Sequence, residues 1–120
     1  MKLTSTVLGA RDPRALADFY ATLLGWSIKT DEPDWVTLRP ADDGPGLSFQ
    51  LEPDHVPPEW PQAKGAQQMQ LHLDIEVDDL DAAGAVAIAA GAGLSAFQPQ
   101  EKVRVYFDPA GHPFCLWTRE

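Results

Sequence analysis

The sequence predicts an α+β protein built from two consecutive β-α-β-β-β modules. Three observations carry that expectation. Gly46-Leu47-Ser48-Phe49-Gln50-Leu51 returns as Gly111-His112-Pro113-Phe114-Cys115-Leu116, both reading Gly-x-x-Phe-x-Leu and each closing one half of the 120-residue chain. Asp12-Pro13-Arg14-Ala15-Leu16 opens one helix-like run, and Asp79-Leu80-Asp81-Ala82-Ala83 opens another, 67 positions later. The order of strand-like and helix-like segments is the same in both halves. The shift of 67 places Ser5 on His72, whereas the Gly-x-x-Phe phrases lie 65 apart, so the loops of the two halves differ by two residues.

In the first half, Leu3 to Leu8 is short, β-branched and apolar, the pattern of a strand. Asp12 reads as an N-cap with Pro13 at the first helical position, where its missing N–H costs nothing. Leu16, Phe19, Tyr20, Leu23 and Leu24 then recur on one helical face, and Gly25 ends the run. Trp26 to Lys29 and Trp35 to Arg39 read as strands, Asp42 to Gly46 as a turn, and Leu47 to Glu52 as the fourth strand.

Residues 53–68 carry Pro53, Pro57, Pro58 and Pro61 and read as a connector, because proline cannot join a central ladder. Trp60 stands out within it, since an indole in a linker usually packs on something. Module one is thus 1–52 and module two 69–120. Met69 to Val77 alternates strictly, with Leu71, Leu73, Ile75 and Val77 on one side and Gln70, His72, Asp74 and Glu76 on the other. Asp78 or Asp79 caps an alanine-rich helix running to about Ala90, whose partner surface must approach closely. Leu94 to Phe97, Val103 to Phe107 and Pro113 to Thr118 complete the module, with a turn at Asp108 to Gly111.

The chain is acidic, with 18 acidic and 9 basic residues and a net charge of −9, which leaves no basic footprint for nucleic acid. It has no apolar run near 18 residues and no charged-then-apolar leader, so neither membrane spanning nor secretion is expected. The single cysteine, Cys115, fits a reducing cytoplasm.

The first strand of each module feeds a helix that must cover one sheet face. Parity then assigns side chains to the other face: Ser5 and Gln50 in module one, His72 and Cys115 in module two. Pseudo-symmetry brings these four onto one concave surface, with Ser48, Glu52, Gln70, Asp74 and Trp117 nearby on the same parity. Of the four tryptophans, Trp60 and Trp117 are the candidates for a ligand wall. An aromatic wall in an acidic chain points to a cationic or aromatic small molecule.

The paired modules, the segment Asp12, Leu16, Phe19, Tyr20, Leu24, Gly25, the segment His72 to Leu80 and the closing Phe107-Asp108-Pro109-x-Gly111-His112 resemble the vicinal oxygen chelate superfamily. That group includes glyoxalase I, extradiol dioxygenases and bleomycin-resistance proteins. The resemblance implies modules whose mixed sheets form a curved, incompletely closed barrel around a shared cavity, and a homodimer. In metal-using members, His or Gln on strand one, Glu on strand four, His on strand five and Glu on strand eight bind a divalent ion. By motif these positions fall on Ser5, Gln50, His72 and Cys115, so none holds a carboxylate. His72 and Gln50 are the candidate ligands for zinc, nickel, manganese or iron. The leading expectation is metal-independent binding of a small molecule, as in bleomycin-resistance proteins. The alternatives are a metal-dependent lyase, isomerase or dioxygenase, and a metal-free enzyme with His72 as general base.

Overall fold

The computed structural model describes residues 1–120, in the order β1 (Ser5–Ala10), α1 (Pro13–Leu24), β2 (Ser27–Glu32), β3 (Trp35–Arg39), β4 (Gly46–Leu51), β5 (Leu73–Glu76), α2 (Leu80–Ala90), β6 (Gly93–Leu94), β7 (Val103–Phe107) and β8 (Pro113–Trp117). Two mixed four-stranded sheets result, ordered β1-β4-β3-β2 and β5-β8-β7-β6, and neither closes into a barrel. The chain divides into Met1–His55 and Val56–Glu120. Most of the proline-rich connector therefore goes with the second unit. Glu59 bridges to Gln68, Pro57 lies against Gly111, and Trp60 stacks on His72.

In each unit the first strand pairs in parallel with the last, which needs the helix as a crossover. Asp12 caps α1 by accepting from Ala15 N at 3.1 Å, and Gly25 closes it at φ 71°, where a side chain would be strained. The helix lays Leu16, Phe19 and Tyr20 on β3 and β4, and the Tyr20 ring stacks on Phe49 at 5.8 Å. Phe49 and Phe114, the shared phenylalanines of the repeated phrase, are both fully buried. Each contributes about 2–3 kcal/mol of apolar burial. In the second unit Phe114 stacks on Tyr106 from β7 at 5.5 Å, so the tyrosine partner comes from a strand rather than the helix.

Asp79, rather than Asp78, caps α2, accepting from Ala82 N at 2.9 Å. The close approach expected of an alanine-rich helix is made at Gly84, where a Cβ would lie 2.3 Å from the Tyr106 hydroxyl oxygen. No helix is long and apolar enough to cross a membrane.

Several strands differ from the sequence reading. β1 begins and ends two residues later than expected, because its ladder starts at Ser5 opposite Gly46, leaving Leu3 exposed. β2 runs from Ser27 to Glu32 rather than from Trp26 to Lys29, with an irregularity in its pairing between Ile28 and Thr30. β5 spans only Leu73–Glu76, since those residues alone find partners on β8, and Leu71 stays exposed. β6 is reduced to Gly93–Leu94. Beyond it the Gln98 side chain takes over the ladder, donating to Val105 O at 2.9 Å and accepting from Val105 N at 3.0 Å.

Register also corrects the pairing of the repeats. Leu8 faces Phe49 as Leu73 faces Phe114, so the shift is 65 at the strands as well. The strand counterpart of His72 is therefore Val7, and Ser5 matches Gln70. Val77 and Asp78, inserted between β5 and the helix cap, account for the shift of 67 seen at the caps.

Gly84→Ala tests the helix contact. Alanine gains about 1 kcal/mol of helix propensity over glycine. Overlap with the Tyr106 hydroxyl should outweigh that gain, for a net loss of about 1–2 kcal/mol in urea unfolding. In a Tyr106→Phe background the nearest ring atom lies 3.5 Å away. There the same substitution should be neutral or stabilising.

Candidate functional site

The uncovered face of the second sheet is set by the ladders around β8. Asp74 and Val105 flank Cys115, and Glu76 and Val103 flank Trp117. His72 precedes Asp74 by two residues and shares its side. Together with Trp60 from the connector and Pro99, Gln100, Lys102 and Thr118, all of these side chains except Glu76 line a cavity of about 420 Å³. That is large enough for a small organic ligand. The Gln98 clamp holds the segment carrying Pro99 and Gln100 against β7.

Three polar groups meet on this face. His72 Nε2 lies 3.1 Å from Asp74 Oδ1, and the Cys115 thiol donates to the Asp74 carboxylate. The Trp60 ring stacks on the imidazole at 4.8 Å and 25°, and tilts against Phe97 at 5.8 Å. Burial first, and then the charge and hydrogen bond of Asp74, push the Cys115 thiol up to about 11 from its ordinary 9.0. Cys115 is only 2% exposed, so it is a buried, protonated thiol rather than a nucleophile. The order thiol–carboxylate–imidazole also leaves no base on the sulfur.

In the first unit Ser5 Oγ and Ser48 Oγ share a 2.6 Å hydrogen bond, and the Gln50 amide donates to the Glu52 carboxylate. Ser5 and Gln50 lie on one face of the first sheet, but the register sets Gly9, not Ser5, beside Gln50. The Glu52 side chain passes over Gly9, where a Cβ would meet it at 2.8 Å. His72, Cys115, Trp60 and Trp117 come together in the second-unit cavity. His112 shapes its turn, its amide donating to Asp108 Oδ1 at 3.0 Å.

Asp74 is the residue that sequence reasoning left at the margin. The signal was present, since Asp74 shares the parity of His72, but its contact with Cys115 depends on the β5–β8 register. Gln100, Lys102 and Thr118 were also missed. They flank strands and carry no periodic signal.

A model of the glyoxalase-like domain family matches residues 5–117. The chain belongs to this family, within the vicinal oxygen chelate superfamily. No match is found among curated proteins. Among solved structures, this glyoxalase-like domain is similar to a glyoxalase/bleomycin resistance protein/dioxygenase family enzyme from Burkholderia phytofirmans PsJN, at 21% identity and TM-score 0.73, with 98% of each chain covered. A glyoxalase/dioxygenase from Nostoc punctiforme matches at 22% identity and TM-score 0.70, covering 98% of this chain and 90% of that one. An antibiotic-binding protein from Streptomyces sp. CB03234 matches at 20% identity and TM-score 0.61, covering 100% and 97%. These likenesses establish the two-module fold.

Superfamily members often use a divalent metal, and here His72, Asp74 and Cys115 offer ligand atoms within 4.8 Å of one another. The donor chemistry does not fit a hard, six-coordinate ion such as manganese, which takes oxygen ligands. Only one of the three donors is an oxygen, and that carboxylate is already bonded to the other two residues. Zinc suits the donor types, but it needs Cys115 as thiolate, against a thiol held near 11.

Thiolate absorbance titration in chelator-treated protein should therefore give a midpoint near 11, and Asp74→Asn should lower it. The raised thiol pKa also has a stability consequence. The folded state holds the proton more tightly than the unfolded chain, so this contribution is full below about 9 and is lost as pH rises through about 11. Melting temperature should fall across that window in the native chain and fall less in Cys115→Ala.

Proposed function

We propose that this glyoxalase-like domain binds a planar, cationic or aromatic small molecule in the second-unit cavity, without a metal, as a sequestering protein rather than an enzyme. The observation that carries the reading is the pairing of two indoles, Trp60 and Trp117, with the Asp74 carboxylate around one hollow. Trp117 already has a cation within reach, the Arg119 guanidinium 5.8 Å from its ring centre. Lys102, the other charged lining group, directs its ammonium at the Arg119 carbonyl at 3.4 Å. A buried thiol supplies shape and no reactivity. The Streptomyces antibiotic-binding protein, at 20% identity, fits a sequestering role for this fold. We read Ser5 and Gln50 as polar lining of the first unit's open face, and the protein as a cytoplasmic homodimer.

A second reading rests on the His72, Asp74 and Cys115 grouping. In it His72, Asp74 and Cys115 as thiolate would hold zinc, which would supply Lewis-acid chemistry toward a substrate with vicinal oxygens in a lyase, isomerase or dioxygenase reaction.

The binding reading is tested by tryptophan fluorescence titration in chelator, with cationic aromatic compounds and their neutral analogues. Saturable quenching is expected, with Trp117→Ala weakening every binder by about 10-fold, an aromatic contact of about 0.5–2 kcal/mol being lost together with packing area. Asp74→Asn should weaken the cationic compounds alone. No saturable binder, or binding indifferent to both changes, overturns the reading.

A further inference from the structure

A second cavity of about 420 Å³ lies wholly within the first unit, lined by Lys2, Thr4, Lys29, Arg39, Asp42 and Asp43 among others. Three of the nine basic residues of a chain with net charge −9 meet there, which a merely solvated acidic surface does not explain. Both carboxylates have partners, Asp43 an ammonium and Asp42 a backbone amide, and the lining carries three cations against two anions. Asp42 Oδ1 accepts from Gly44 N at 2.8 Å within its own turn, and Asp43 pairs with Lys2 at 2.9 Å. Lys29 and Arg39 are left with no carboxylate partner.

Arg39 is held by a backbone carbonyl, whereas the exposed Lys29 is directed only by its place in the strand. Arg39 donates from Nη1 to Thr4 O at 2.6 Å. Its stem lies over Gly46, where a Cβ would fall 3.1 Å from Arg39 Cδ and 3.3 Å from Nη1. The same Cβ would meet the Leu38 carbonyl oxygen more closely still, so glycine there serves the β3–β4 backbone first and leaves room for the guanidinium second. Lys29 is placed by the irregularity in β2. Ile28 pairs with Leu38 and Thr30 with Thr37, so Lys29 is an extra residue with no partner on β3. Such bulges re-aim a side chain. Thr37 Oγ1 accepts the Thr30 amide at 3.0 Å, which satisfies the donor that the bulge displaces.

We propose that this cavity binds the phosphate group of a small molecule, as a site separate from the second-unit cavity. The Arg39 fork has N–H groups to spare for paired bonds to two oxygens, and Lys29 adds a point charge. A tetrahedral dianion uses both, whereas a lone carboxylate needs only the fork. The proposal does not depend on what the second-unit cavity binds.

The test is a titration of the full chain with inorganic phosphate, following backbone amide shifts by NMR, with acetate as the comparison. Saturable shifts centred on residues 29, 39 and 44 are expected. Lys29→Gln and Arg39→Gln should each weaken binding by about 10-fold, the loss of one charge-assisted contact. Arg14→Gln, which removes a cation already paired with Asp31, should leave it unchanged. Lys29 is exposed on an edge strand, so its variant keeps the fold even where Arg39→Gln does not. Shifts that stay linear with phosphate, saturation unaltered in Lys29→Gln, or acetate binding as tightly as phosphate would overturn the proposal.

Discussion

The parallel ladder between the first and last strand of each unit is the constraint on which the rest of the structure depends. It places Leu8 beside Phe49 and Leu73 beside Phe114, turning both phenylalanines toward the core. Because side chains alternate, the residues on either side of each phenylalanine must face the other way. A slip of one residue would bury Asp74 and Gln50 and expose the core. The helix crossovers are consequences of the same pairing, since parallel neighbours cannot be joined by a tight turn.

That ladder also decides the chemistry of the second-unit cavity. Asp74 and Cys115 are register partners, and His72 lies two residues before Asp74. The carboxylate thus stands between imidazole and thiol and satisfies both. Cys115 is the buried member and Asp74 supplies its polar partner, while Asp74 and His72 stay partly exposed to water. The first unit shows a parallel arrangement, with Glu52 bonded to Gln50 two positions on. In both units a carboxylate sits next to, not at, the position where metal-using relatives carry a ligand.

Much of this was legible in the sequence because it is written in local rules. Asp12 and Asp79 act as caps, Gly25 as a stop, and the Phe49 and Phe114 phrases as core strands, each from its own residue chemistry. The face assignments of Ser5, Gln50, His72 and Cys115 follow from parity alone. What stayed hidden depends on contacts between distant segments. The helix caps suggested that Ser5 matches His72, and only the ladder shows that Val77 and Asp78 are an insertion. β6 ends early because the Gln98 side chain replaces a strand, which no propensity signals. The bulge at Lys29 leaves no mark either, since the sequence around it alternates much like any edge strand.

The proposed binding role requires that Asp74 close a polar cluster in a ligand pocket rather than help to hold a catalytic ion. Metal content of the untagged protein, paired with its melting temperature before and after chelation, tests this most directly. No stoichiometric metal is expected, with a melting temperature unchanged by chelator or by added zinc, nickel, manganese or iron. Stoichiometric zinc that His72→Ala abolishes, with a clear drop in melting temperature on its removal, would contradict it.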